Sequence, residues 1–340
     1  MRAWFLGICL CVALFAFGSA ASDQLVVACW NVENLFDTED DPLNKGDDGY
    51  TPRGWMRWTE ARYELKQQHL SDVIAQMRPD ILGLTEVENR RVLDDLVETL
   101  KERHDYDMPF ILHRDGDEKR GIDVAILSRH AAVATNWLQP VSGQREILIG
   151  DFVVGGRALT LLVNHWKSQL GKKDASDEIR RGEALIVRAY LDQRLSVNPA
   201  AAIMVAGDFN DMPESPILVE AAGFLVDERM VRDDQSGRLF YNLTGMLPED
   251  QRGTYFYAPK QHWNTLDSIS VSQGMLAETE TCAPWGVRPG SYEIIKGESQ
   301  CDKEGHPLPF RRVRNKTVGD VYFTGYSDHF PVRVTLYARD

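Results

Sequence analysis

The sequence predicts a layered α/β domain. Strand-like and helix-like segments alternate along the 340 residues, the pattern of helices packed on sheets. The hydrophobic fraction of 43% against 26% charged residues is that of a globular rather than a disordered chain. Neither an internal repeat nor a low-complexity linker divides the chain after residue 21, so one domain over 22–340 is expected.

The elements follow from local patterning. Residues 24–31 hold the apolar run Leu25 to Trp30, which reads as a buried strand. Residues 59–77 read as an amphipathic helix stopped by Pro79, and 80–85 as a second strand. Over 89–103 the residues Leu93, Leu96, Val97 and Leu100 share one helical face. Short apolar runs predict strands at 122–127 and 158–164, a helix follows at 177–195, and strands recur at 201–206, 266–270 and 332–337. Two stretches resist assignment. The charged, Gly- and Trp-containing loop 37–58 is either a surface excursion stapled by aromatics or a lid facing a substrate. Residues 281–317 read as a second irregular excursion.

The first 21 residues stand outside this domain. Arg2, an apolar stretch from Trp4 to Phe17 and the small residues Gly18-Ser19-Ala20-Ala21 form a secretory signal, and the apolar stretch is short for a spanning helix. Export is therefore expected, to the periplasm or beyond, with no stable membrane insertion. Of the remaining cysteines, Cys29 sits in a strand pattern as a buried thiol. Cys282 and Cys301 flank a Gly- and Pro-containing loop, and an oxidising compartment favours pairing them. The formal charge of −13 becomes −14 once the +1 of Arg2 is removed, which argues against a broad electrostatic grip on nucleic acid. It leaves room for carboxylates that a divalent metal neutralises.

The most informative residues terminate the predicted strands. In chain order the polar ends are Asn31, Glu86, Asn164-His165, Asp208 with Asn210, and Asp328-His329, with Asp267 beside a sixth strand. A strand end is a rigid mount for polar groups, and ligand sites lie outside strand ends. Carboxylates, amides and imidazoles so placed supply the general acid or base and the oxyanion donors that phosphoester cleavage needs.

On these residues the chain resembles the endonuclease/exonuclease/phosphatase superfamily, which includes deoxyribonucleases, abasic-site endonucleases, bacterial sphingomyelinases and inositol-polyphosphate phosphatases. The pairing of Gly207-Asp208-Phe209-Asn210 with Ser327-Asp328-His329-Phe330-Pro331-Val332 carries the resemblance. Asn31-Val32-Glu33-Asn34-Leu35-Phe36-Asp37, Glu86-Val87-Glu88-Asn89 and Arg120-Gly121-Ile122-Asp123-Val124-Ala125 are similar to a secreted bacterial subgroup described mostly as nucleases. The resemblance implies a deoxyribonuclease-like four-layer sandwich, with two packed mixed β-sheets, helices outside and the site at one rim.

It also implies roles. Glu86 is the ligand of Mg²⁺, for which Mn²⁺ substitutes, and Asp328 joins it. Asn31 and Asn164 contact the substrate. Asp208 orients or deprotonates the attacking water and Asn210 donates to a phosphate oxygen. His329 touches the phosphate with Asp267 on its other nitrogen, and His165 is a second phosphate contact or the general acid. Asp123 either orients His165 or forms a structural ion pair. Glu33, Glu88 and Lys167 either support the site or are solvated. Arg53, Arg57, Arg120 and Lys172-Lys173 either supply local positive potential or form a solvated face. Trp55, Trp58, Trp166, Tyr257 and Trp263 either stack on bases or fill the core. The implied activity is metal-dependent hydrolysis of DNA or RNA, the substrate partner. A phospholipid head group, an inositol phosphate or another small phosphoester is the alternative, and a non-catalytic binding module on the same scaffold a third reading. No protein partner is implied.

Overall fold

The computed structural model of the protein describes residues 23–169, 171–276 and 282–339. The signal segment expected at 1–21 lies outside them.

A first sheet is built from β1 (Gln24–Leu35), β2 (Ile81–Val87), β3 (Phe110–Leu112), β4 (Asp123–Ser128), β14 (Trp285–Val287), β15 (Glu293–Ile294) and β18 (Val332–Ala338). Its order is β14-β18-β1-β2-β4-β3, with β15 also against β18. The second contains β5 (Ala132–Leu138), β6 (Ile147–Val154), β7 (Arg157–His165), β8 (Ile203–Asp208), β9 (Phe224–Leu225), β10 (Phe240–Asn242) and β13 (Asp267–Ser272). Its order is β5-β6-β7-β8-β13-β10-β9. Both sheets are mixed: β1 and β2 run parallel, as do β7 and β8, while β18 and β13 run antiparallel to their neighbours. Two hairpins stand apart, β11 (Tyr255–Tyr257) with β12 (His262–Asn264), and β16 (Arg312–Asn315) with β17 (Gly319–Tyr322).

Strand alternation sorts the apolar side chains into layers. In β1, Leu25, Val27 and Cys29 face the second sheet and pack with Leu161, Val163, Met204 and Ile269. Ala28, Trp30 and Val32 face the other way, onto α1 (Glu60–Met77) and α2 (Arg90–His104). The far face of the second sheet, with Ile149, Leu162 and Val205, is covered by Ala184, Val187 and Leu191 of α3 (Lys173–Val197). The order helix, sheet, sheet, helix is the expected four-layer sandwich.

The start of α2 agrees with its sequence signal, whereas α3 begins four residues before the expected 177. Asn89 caps α2 by accepting from the Val92 N–H at 3.1 Å, and the left-handed Asp105 ends it. Of the excursion expected at 281–317, the described residues 282–317 are more regular than expected, because β14 and β15 run back along β18. That path overturns the Cys282–Cys301 pairing. The chain meets β18 first at Ala338 and later at Val332, so the two cysteines lie beyond opposite ends of that strand. Seven strand residues span on the order of 20 Å, whereas a disulfide needs Cα atoms within about 7 Å. Both cysteines are free thiols, as is the buried Cys29.

Candidate functional site

Register brings the strand ends together at one rim. β7 and β8 are parallel with His165 beside Asp208, and β13 returns antiparallel with Asp267 opposite Asp208. In the other sheet Asn31 and Glu86 close the parallel pair β1–β2, while His329 precedes β18, which runs antiparallel to β1. The first sheet adds bulges, with register shifts between Asn31 and Leu35 and between Thr85 and Val87. There Glu33, Asn34 and Glu86 adopt left-handed backbone, with φ of 52°, 57° and 66°. Such conformations cost on the order of 1–3 kcal/mol each and collect at functional sites. Here the bulge leaves Glu86 lining a cavity of about 590 Å³.

Asp208 is the hub. Its Oδ2 accepts from Asn31 Nδ2 at 2.9 Å and its Oδ1 from the Asn210 backbone N–H at 2.8 Å. His165 Nε2 lies 3.7 Å from the same Oδ2 and 3.8 Å from Glu86 Oε1. His329 Nε2 lies 4.0 Å from Asp208 Oδ2, and its Nδ1 meets Asp267 Oδ2 at 2.7 Å. The His329 backbone is itself pinned, because its carbonyl accepts from Trp30 Nε1 at 3.0 Å and its N–H donates to Ser327 Oγ at 3.0 Å.

Burial sets the protonation of these groups. Burial first, and the Asp267 charge second, push the Asp208 carboxyl up to about 7. Burial alone would lower His329, but the Asp267 carboxylate overrides it and holds the imidazolium well above its ordinary range. His165 has no such partner. Burial, then the charges of Arg145 and Arg120, drive it well below, so it stands neutral. One wall of the cavity thus carries a fixed cation, a neutral imidazole and a carboxyl titrating near neutrality.

Glu86, Asn210, His165, Asp208, Asp328 and His329 line the cavity, with Asn31 and Asp267 directly behind through their bonds to Asp208 and His329. Asn164 does not reach it. Its side chain is fully buried, accepting from Trp166 Nε1 at 3.1 Å and donating to the Ala206 carbonyl at 3.3 Å. The Asn210 amide gives one hydrogen bond to the Trp166 carbonyl at 3.0 Å. Asp123 does not orient His165: it accepts from the Gly116 N–H at 3.0 Å, and His165 Nδ1 has no hydrogen-bond partner. Of the aromatics, Trp58 and Trp166 are buried, Tyr257 lines the cavity, and Trp55 and Trp263 are exposed. Lys173 pairs with Asp177 in the first turn of α3, whereas Arg120 lines the cavity.

Several lining residues escaped the sequence. Tyr255, Lys260, His262 and Asn264 come from the β11–β12 hairpin that also carries Tyr257, and Arg311 and Arg312 from the start of β16. Arg311 Nη1 pairs with Asp328 at 3.0 Å and lies 3.5 Å from the buried Glu33. Lys66 is fully buried and donates to the Tyr326 carbonyl at 2.7 Å and the Glu33 carbonyl at 3.3 Å. Helical spacing carried that signal, since Tyr63, Lys66, Gln67 and Leu70 fall on one face. Glu88 is buried and accepts from the Asp37 N–H at 2.8 Å, anchoring the start of the 37–58 loop.

The donor set suits a hard cation. Glu86 Oε2 accepts from the Asn34 N–H at 2.9 Å, and Asp328 adds a second carboxylate on the cavity wall. Oxygen donors of this kind match Mg²⁺ or Mn²⁺ better than thiophilic metals. A second cavity of about 580 Å³ lies over α1 and α2 and is lined by Glu, Gln, Arg, Asp, Tyr63 and Thr99 with no imidazole, so it lacks the acid–base set.

Residues 26–338 match the profile of the Endonuclease/Exonuclease/phosphatase family. Similar solved structures include humanised D. rerio TDP2, at 17% identity and TM-score 0.57 over 93% of this chain and 100% of that one. D. rerio TDP2 complexed with a single-strand DNA product matches at 16% and 0.55 over 93% and 99%. The Bacteroides thetaiotaomicron mannosyl-6-phosphatase Bt3783 matches at 17% and 0.54 over 92% and 99%. No curated protein sequence matches the chain. At these identities the structural likeness concerns the fold.

Proposed function

The chain belongs to the Endonuclease/Exonuclease/phosphatase family, and on that premise we propose an exported, Mg²⁺- or Mn²⁺-dependent phosphodiesterase acting on DNA or RNA. The observation that carries the reading is the gathering of Asp208, His165 and His329 around one carboxylate oxygen, beside Glu86. Asp208, titrating near 7, takes the proton of the attacking water, held on line by Asn31 and the Asn210 N–H. The His329 imidazolium, fixed by Asp267, donates to a non-bridging phosphate oxygen and meets its growing charge. His165 presents Nε2 to the same space as a further phosphate or leaving-group contact. Glu86, with Asp328, would hold a divalent cation, which when bound would supply Lewis-acid stabilisation of the phosphoryl and leaving oxygens. Nucleic acid as substrate is consistent with the DNA-bound TDP2 structure among the similar folds. The acidic net charge of −13 and the mannosyl-6-phosphatase among them favour the second reading, a small phosphoester.

A substrate panel tests this. Purified protein with Mg²⁺ is offered plasmid DNA, RNA, sphingomyelin and sugar phosphates. Turnover of a polynucleotide, abolished by EDTA and restored by Mg²⁺ or Mn²⁺, is the expected result. Turnover of the small phosphoesters alone replaces the first reading with the second.

A further inference from the structure

The 37–58 loop contributes Tyr50 and Met56 to the cavity wall, yet it contains neither helix nor strand. A connection of that length inside a compact domain needs something to hold it. Part of the answer is aromatic: Tyr50 stacks on Phe36 with ring centroids 4.0 Å apart and meets the buried Trp58 edge-on. The other half of the loop is acidic. One oxygen from each of Asp40, Asp47 and Asp48 lies within 4.8 Å of the others.

Asp47 is the unusual member. It is 1% exposed, and while Oδ2 accepts from the Asp41 N–H at 2.7 Å, Oδ1 is buried without any hydrogen-bond donor. An ionised carboxylate oxygen only accepts, and no hydrogen-bond donor reaches this one. An isolated buried charge is strongly disfavoured, and two more carboxylates beside it add repulsion. The neighbouring Arg91 pairs with Glu39 and Asp37 instead, and among the described residues no cationic side chain pairs with Asp40, Asp47 or Asp48.

We propose that this loop binds Ca²⁺ through Asp40, Asp47 and Asp48, at a site separate from the cavity carboxylates. Two oxygens bound to one Ca²⁺ at roughly 2.4 Å lie no more than about 4.8 Å apart, a limit that all three carboxylates of this cluster meet. The donors are all oxygen, with no thiol or imidazole to favour zinc. An irregular loop accommodates the variable coordination of Ca²⁺ more readily than the near-ideal octahedron of Mg²⁺. Bound there, the ion would neutralise the buried Asp47 and fix the half-loop that precedes Tyr50.

The test is the melting temperature of the intact protein, titrated with CaCl₂ after removal of metals by EDTA. The expected result is a rise of several degrees for the wild type, retained in Glu86→Gln, because the ion binds the folded form away from the cavity. Asp47→Asn alters a buried group and risks misfolding, so the exposed pair Asp40→Asn with Asp48→Asn decides. These two changes are expected to move the Ca²⁺ midpoint at least about tenfold higher while the EDTA melting temperature holds or rises, because the repulsion on Asp47 is relieved. An unshifted midpoint in that double variant, loss of the response in Glu86→Gln, or an equal wild-type response to MgCl₂ would overturn the assignment.

Discussion

Asp267 never touches the substrate in the proposed reaction, yet it decides the charge of the residue that does. Its Oδ2 meets His329 Nδ1 at 2.7 Å, and this carboxylate is what overrides the burial that would otherwise discharge the imidazole. In Asp267→Asn burial wins, and His329 loses its proton at lower pH. The alkaline limb of kcat/KM is therefore expected to move to lower pH, so that the variant suffers more at pH 8 than at pH 6. A uniform fall with an unmoved profile would reduce Asp267 to a packing role. At this scale much was legible in the sequence, because Asp208, Asn210, Glu86 and His165 follow or end apolar runs and His329 precedes one. Asn164 marks where that reasoning stops. It too ends a strand, but alternation turns it inward while its neighbour His165 faces the cavity.

Elements explain what adjacency in sequence could not. The two hairpins bordering the cavity, β11–β12 and β16–β17, have strands of three or four residues, without an apolar run long enough to mark them. Apart from Tyr257, their lining residues were invisible for that reason. Most of the long central strands and all three long helices were legible within a few residues, since burial on a defined face writes a periodicity, but β6 was not assigned from the sequence. The cysteines teach the same lesson from the other side: a compartment argument favoured their pairing, and the path of β14 and β15 along β18 separates them. Alkylation of the denatured, unreduced protein is expected to label both Cys282 and Cys301. A mass 2 Da lower with neither labelled would contradict the strand path.

For the whole molecule, the concentration of buried acids sets a dependence of stability on pH. Burial first of all pushes Glu88 up to about 8 and both Glu183 and Asp123 up to about 7. In the unfolded chain such groups titrate near about 4. Raised acids favour the fold most below the unfolded value, and this contribution is lost as pH rises through the folded one. Between pH 6.5 and 8.5 the melting temperature is accordingly expected to fall, and Glu88→Gln, which keeps an acceptor for the Asp37 N–H, to flatten the slope. A rise over that interval would contradict these assignments. The four-layer architecture was legible through the family resemblance, while composition and periodicity alone gave only layered α and β structure. The central claim is that residues remote in the chain form one phosphoester-cleaving centre around Asp208. It is tested most directly by single-turnover cleavage of a labelled oligonucleotide in Mg²⁺, comparing wild type with Asp208→Ala and His329→Ala. Each substitution is predicted to slow cleavage by about 10²–10⁴-fold with the fold intact by circular dichroism; near-normal rates in either would contradict it.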